Sequence, residues 1–360
     1  MDMNEFNKIR RKSRKIAVGG LFVGGDAPIT VQSMTNTRSD DLDATFGQMC
    51  ALEEVGCDIV RMTVPDLSSA ATIGRLKEAG IRIPIVADIH FDYKLALAAA
   101  DAGADKIRIN PGNIGDDSKI KAVADKCREK NIPIRLGINS GSLEKGVLAK
   151  YGAPTAEALA ESAMNNIASL ERFDFENIIV AIKSSDVWRM AAANRIVSER
   201  CDYPIHLGVT EAGGDRMGTV KSAVGIGSSL LSGIGDTMRV SLTADPTLEI
   251  KRAREILAAL GLDNSSLVSV VSCPTCGRTK IDLIGLAEHF EARIPELHPS
   301  KHIKVAIMGC AVNGPGEASD ADIGIAGGVD EVLLFKSGRP ICKIAQDMAV
   351  DRLVEEINKM

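Results

Sequence analysis

No uninterrupted apolar run in this 360-residue chain approaches the roughly 18 residues that crossing a bilayer takes. The N-terminus, MDMNEFNKIRRKSRK, is charged and has no apolar stretch behind it, so no secretory leader is read and a cytoplasmic, membrane-free protein is expected. Positive charge is in deficit: 43 Lys and Arg stand against 48 Asp and Glu, for a net charge of -5, which argues against a broad nucleic-acid surface. The RRKSRK cluster is accordingly read as a solvated tail. Aromatics are scarce at 3%, but 45% hydrophobic and 25% charged residues are the balance of an ordinary soluble protein. Eight cysteines in a cytosolic chain do not imply structural disulfides, because the thiols stay reduced there. Cys50, Cys57 and Cys127 lie among apolar neighbours and read as small core residues, while Cys201 and Cys342 carry no assignment. Cys273, Cys276 and Cys310 remain.

What the sequence does contain, from residue 29 to about 261, is one unit repeated eight times: a short β-branched strand, a loop and an amphipathic helix. The strands read ITVQSMT, DIVRMTV, IPIVADIH, KIRIN, PIRLGIN, NIIVAIKSS, IHLGVTE and DTMRVSL, and the last helix is PTLEIKRAREILAALG. That number and length are those of an α/β (β/α)8 TIM barrel. A doubly wound sheet usually opens on a Gly-rich loop, which is absent. The last hundred residues break the pattern, with strand candidates VSVVS, HIKVAIMGC, DIGIAGG and EVLLFK, so a smaller α+β domain is expected over 265–360 behind a barrel domain over 1–264.

Side chains alternate inward and outward along barrel strands, and active sites lie at the strand C-terminal ends. Asp88 and His90 share a face, as do Arg108 and Asn110, Arg135 and Asn139, and Arg239 and Ser241; Arg61 lies on the second strand, Lys183 ends the sixth and Glu211 the seventh. Counting Arg61, Arg108, Arg135 and Lys183 against Asp88 and Glu211 leaves about two positive charges in excess at one mouth. Such a surplus implies an anionic ligand, and planar arginine forks suit phosphate oxygens. Asp88 reads as an orienter of the arginines, and Glu211, in VTEAGG, as the better candidate for proton transfer or for binding substrate hydroxyls.

The C-x-x-C of SCPTCGRTK is followed by MGCAVNGPGEA, which supplies one further cysteine and, seven residues on, Glu317. Zinc would normally take four Cys or His ligands in two close pairs, and His289, His298 and His302 lack paired spacing. A redox dithiol would need neither Cys310 nor the glycine-rich turn. Three thiolates suit a [4Fe-4S] cluster with a non-cysteine fourth ligand such as Glu317. Spacing alone still leaves open a zinc-stabilised barrel or a redox-sensing interaction module.

Taken together, VGGDAPITVQSMTNT, IVRMTVP, VADIHFDY, RINPGNIG, NSGSLEK, HLGVTEAGG, IGDTMRVSL, SCPTCGRT and GCAVNGPGEA resemble the 4-hydroxy-3-methylbut-2-enyl diphosphate synthase family, in its short two-domain bacterial form. The resemblance implies a TIM barrel and a sulfite-reductase-like cluster domain. It also implies reductive conversion of 2-C-methylerythritol 2,4-cyclodiphosphate to hydroxymethylbutenyl diphosphate in non-mevalonate isoprenoid biosynthesis, with flavodoxin or ferredoxin as donor. By the same resemblance Cys273, Cys276 and Cys310 are thiolate ligands of a [4Fe-4S] cluster and Glu317 the exchangeable fourth. Arg61, Asp88, His90, Arg108, Asn110, Arg135, Asn139, Lys183, Ser241 and Asn313 form the substrate pocket, and Glu211 the barrel carboxylate near the substrate's hydroxyl end. Because the eighth helix returns to the far end of the barrel before a short DNSS connector, a head-to-tail homodimer is expected, each copy's cluster serving the other's mouth.

Overall fold

The computed structural model describes residues 3–263, 268–310, 318, 320–329 and 331–360. The chain divides into two compact units, Met1–Leu262 and Asp263–Met360. In the first, a hairpin of β1 (Ile16–Val18) and β2 (Leu21–Val23) precedes eight parallel strands. These are β3 (Thr30–Met34), β4 (Ile59–Thr63), β5 (Ile85–Asp88), β6 (Lys106–Ile109), β7 (Ile134–Asn139), β8 (Ile178–Lys183), β9 (His206–Leu207) and β10 (Thr237–Met238). They run in the order β8-β7-β6-β5-β4-β3-β10-β9, and single bridges Val180↔Ile205 and Ser184↔Val209 join the two ends into a ring.

Outward strand residues such as Val31, Val60, Met62, Ile107, Leu136 and Val180 pack in one apolar layer against the surrounding helices. Those helices start where a short acidic side chain can accept a free amide: Asp41, Asp66, Asp92, Asp116, Asp186 and Asp245 each cap one. Below, Ile16, Val18 and Val23 of the hairpin cluster with inward Ile59, Val86 and Ile179 and plug the strand N-terminal end.

The basic N-terminal segment is no solvated tail. Arg10 is buried and donates to Asp236 Oδ1 at 2.8 Å and Ala27 O at 2.7 Å, and Arg11 donates to the carbonyls of Cys201 and Tyr203. Arg14 pairs with Asp202 and Glu176 and stacks over Tyr203. Asp236 also accepts from the amide of Ile205, so one buried carboxylate ties the segment to β9 and β10. The cluster is basic because it answers carboxylates and carbonyls at the barrel floor.

The second unit carries a five-stranded sheet, β11 (Val268–Ser272), β12 (Ile303–Met308), β13 (Ile323–Gly327), β14 (Glu331–Lys336) and β15 (Arg339–Ala345), in sequential order. The first three are parallel and the last two antiparallel. Helices Leu283–Arg293 and Ala349–Ile357 bury Leu286, Phe290, Val350 and Leu353 on one face of it. The fifth strand was not expected from the sequence. It follows a two-residue turn in which Ser337 and Gly338 both have positive φ, the geometry that matches strand twist.

Candidate functional site

A cavity of about 80 Å³ opens at the strand C-terminal ends, lined by Arg61, Arg108, Arg135, Gly137, Asn139, Ala181, Lys183, Thr210, Arg239 and Ser241. Among the described residues, five cations line it and no carboxylate does. The acids stand behind. Asp88, 1% exposed, accepts from Arg108 at 2.9 Å and lies 3.5 Å from Arg61 and 3.9 Å from His90. Glu249, on the helix Pro246–Ala259, accepts two parallel bonds of 3.1 Å from Arg239 and one of 2.7 Å from Ser33. Met34 Sδ receives Arg61 from the same side.

Among the described residues no carboxylate supports Arg135 or Lys183 in this way, and Arg135 Nε and Nη1 are buried without a hydrogen-bond partner. Burial, with Arg61 and Arg108 close by, pushes the Arg135 guanidinium well below its ordinary value; burial, Arg135 and Arg239 do the same to Lys183. Arg61 is lowered to about 10, chiefly by burial against the pull of Asp88. Burial works to raise the Asp88 carboxyl, yet Arg61, Arg108 and Arg135 together outweigh it and hold it at about 2. The mouth thus stores cation–cation repulsion that an anion would relieve.

Two glycines that carried no expected role, Gly137 on β7 and Gly208 just after β9, make this crowding possible. A Cβ on Gly137 would lie 2.3 Å from Arg108 Nε, and one on Gly208 2.9 Å from Lys183 Nζ. Both face inward, so each leaves the space a cation fills. Glu249 was also missed, because a glutamate in the first turn of an amphipathic helix looks like an ordinary solvent-facing acid.

Several expected residues fall differently. Glu211 does not end a strand: β9 stops at Leu207, and Glu211 is exposed in the following turn with φ of 53°, outside the cavity lining. The eighth strand is likewise short, ending at Met238. Asn110 caps the helix Pro111–Ile114 and donates to Ser142 Oγ at 3.0 Å, so its amide is already engaged in shaping the rim. His90 is half exposed at the edge. Asn313 and Glu317 lie outside the described residues, as do 264–267 of the connector.

In the second unit, Cys273 follows β11 and Cys310 follows β12, and the parallel register that sets Ser272 opposite Ile307 brings both to one end of the sheet. Cys273 Sγ accepts from the amide of Gly309 at 3.1 Å. A backbone amide bond from Arg278 lowers the Cys276 thiol, in a turn closed by Thr279. All three thiols are free, and among the described residues no three Cys, His, Asp or Glu side chains converge closely enough to hold a metal ion. Donor type, register and the N–H···S contact fit a thiolate-bound cluster. A groove of about 600 Å³ between helices Val187–Ser198 and Asp215–Leu231 is mainly apolar and is lined by none of the residues of the mouth.

The chain matches the GcpE TIM-barrel domain over residues 13–254 and the GcpE protein C-terminal domain over 269–359. This protein belongs to the GcpE family. Its relatives named 4-hydroxy-3-methylbut-2-en-1-yl diphosphate synthase (flavodoxin) include those of Ruminiclostridium cellulolyticum, 55% identical with 98% of each chain covered, and Clostridium perfringens, 53% identical with 97% of this chain and 99% of the relative covered. Among solved structures, type I 3-dehydroquinate dehydratase from Clostridium difficile aligns with a TM-score of 0.52 at 13% identity, over 69% of this chain and 98% of that one, a likeness of fold alone. No helix among the described residues is long and apolar enough to cross a membrane.

Proposed function

We propose that this GcpE-family protein is a 4-hydroxy-3-methylbut-2-en-1-yl diphosphate synthase, an oxidoreductase that opens 2-C-methylerythritol 2,4-cyclodiphosphate reductively, with flavodoxin as donor. The observation that supports its substrate most directly is the cavity lined, among the described residues, by five cations and no carboxylate. Arg61, Arg108, Arg135, Lys183 and Arg239 bind the two phosphate groups, with Asn139 and Ser241 adding neutral hydrogen bonds and His90 closing the edge. Asp88 and Glu249 fix the arginine forks from behind.

The reaction takes up two electrons and one proton, breaks one ring C–O bond and one C–OH bond, and releases one water. Glu211, exposed on a strained turn after β9, delivers the proton to the departing hydroxyl. Cys273, Cys276 and Cys310 would hold a [4Fe-4S] cluster, with Glu317 as its fourth ligand. When bound, that group supplies electrons one at a time. In a head-to-tail homodimer, a second copy brings its thiol end to this barrel's mouth; mixed dimers of Cys310→Ser and Arg135→Ala subunits should then regain part of the activity, and none would be regained if each chain served itself.

The testing experiment is anaerobic purification with iron, sulfide and zinc analysis, a visible spectrum and turnover with reduced flavodoxin. Roughly four irons per chain and a brown protein that turns over support the reading. Stoichiometric zinc in a colourless protein contradicts it.

A further inference from the structure

The barrel interior below the mouth is polar where a TIM barrel usually stacks branched aliphatics. The alternation that turns Arg108, Arg239 and Met34 inward does the same for Lys106, Thr237 and Gln32, two residues nearer the strand starts, and β9 adds His206. Gln32, Lys106, His206 and Thr237 are all 0% exposed. Ile59 and Val86 face inward beside them, registered next to Gln32 and Lys106, and together with Ile179 they cluster with Ile16, Val18 and Val23 of the N-terminal hairpin. The layer is therefore shut off from below and roofed by the cations.

Few of its polar atoms are satisfied. Both amide atoms of Gln32, Lys106 Nζ, His206 Nε2 and Thr30 Oγ1 are buried without a partner, while His206 Nδ1 lies 3.3 Å from Thr237 Oγ1. The ionisable groups on inward faces around Lys106 are Arg61, Asp88, Arg108, Arg135, Lys183, His206 and Arg239. The neighbouring carboxylate in sequence, Asp105, is taken up outside by Lys77 at 2.7 Å and the amide of Ile85 at 2.7 Å. Asp105 still favours a charge on the Lys106 amine, but by less than burial, Arg135 and Arg61 oppose it.

We propose that Lys106, in the sealed polar layer under the arginines, accepts a proton when a diphosphate seats on the mouth above it, so that binding and proton uptake are coupled. The physical ground is a change of field. Burial first, then Arg135 and Arg61, hold the empty-site amine well below its ordinary value, and burial with Arg135 and Lys183 holds His206 down in the same way. A diphosphate on Arg135 cancels the repulsion and leaves burial alone opposing the charge. The proton enters from solvent through the mouth as the diphosphate arrives and before it seats, no bond other than N–H is made, and linkage requires affinity to fall as pH rises. Lys106 is on this account a positioning residue for charge, touching no reacting atom.

The inference rests on the diphosphate reading, and one titration separates the two. Pyrophosphate binding to the anaerobic holoprotein is measured calorimetrically at pH 8 in two buffers of different ionisation enthalpy, for the wild type, Lys106→Met and Lys106→Arg. The ligand's own proton exchange is common to all three. The wild type should take up about one proton more per site than either variant, and its affinity should fall up to about tenfold more per pH unit between pH 7 and 9. Lys106→Arg, permanently charged, keeps binding without uptake, which covers the case in which Lys106→Met does not fold. Equal uptake in wild type and variants overturns the inference and leaves the diphosphate reading standing. Absence of any pyrophosphate binding overturns both.

Discussion

At the barrel mouth two buried carboxylates hold three cations in place, Arg61 and Arg108 by Asp88 and Arg239 by Glu249, and two glycines leave room for the packed side chains. At the cysteine end of the second unit, by contrast, Cys273, Cys276 and Cys310 are free thiols, half-buried to exposed, in loops after adjacent strands. Three of the mouth's five cations are held by protein contacts, whereas Arg135 Nε and Nη1 stay without a partner. The thiol end has donors and register, but among the described residues no three metal-binding side chains converge there; on the proposed reading a bound group draws it together, as at metal sites that couple ligand binding to local folding.

The largest test of that contrast removes one thiol. Cys273→Ser should lower turnover by about three orders of magnitude while pyrophosphate binding stays within about twofold of wild type. A comparable loss of pyrophosphate affinity in the same variant would mean that the mouth is not finished on its own. Next, Arg135→Met should weaken pyrophosphate by at least about thirtyfold, with iron content unchanged. Asp88 offers a readout in acid. Its carboxyl is held at about 2, below the unfolded value, so its contribution of about 2–3 kcal/mol is complete above about pH 4 and lost as pH falls through 2. Urea denaturation between pH 2 and 6 should therefore show a steeper acid limb for the wild type than for Asp88→Asn. The smallest effect is expected from Gly137→Ala, whose new Cβ would meet Arg108 at 2.3 Å. Displacing that fork should weaken pyrophosphate by about tenfold and cost about 1–3 kcal/mol of stability, read by calorimetry and thermal melting.

Much of the barrel was legible because its signals are periodic. Eight β-branched runs, each followed by a helical stripe, appear where the strands and helices lie; Arg239 and Ser241 both line the cavity, and His90 lies 3.9 Å from Asp88, although β5 and β10 end before His90 and Arg239. What escaped depends on partners distant in sequence. Arg10 and Arg14 look like a tail until Asp236, Glu176 and Asp202 come into view. Glu249 becomes an interior group only because helix Pro246–Ala259 packs beside β3 and β10. Lys106 drew no reading, since nothing local tells that its amine is buried without a hydrogen-bond partner. β15 was hidden by its own composition: Pro340 and a mostly exposed pattern suit an edge strand, although the Ser337–Gly338 turn before it was a usable signal. The strand lengths of β9 and β10 were overread because their apolar alternation continues past the last ladder bond, which is why Glu211 lies in a turn.

The account's central claim is met most directly by following the phosphorus of the cyclic diphosphate by 31P NMR during anaerobic incubation with the iron-loaded protein and reduced flavodoxin. The account predicts that the cyclic signals give way to those of a terminal diphosphate, and that Lys183→Met abolishes the change. Cyclic diphosphate that stays intact with fully iron-loaded, reduced protein would contradict it.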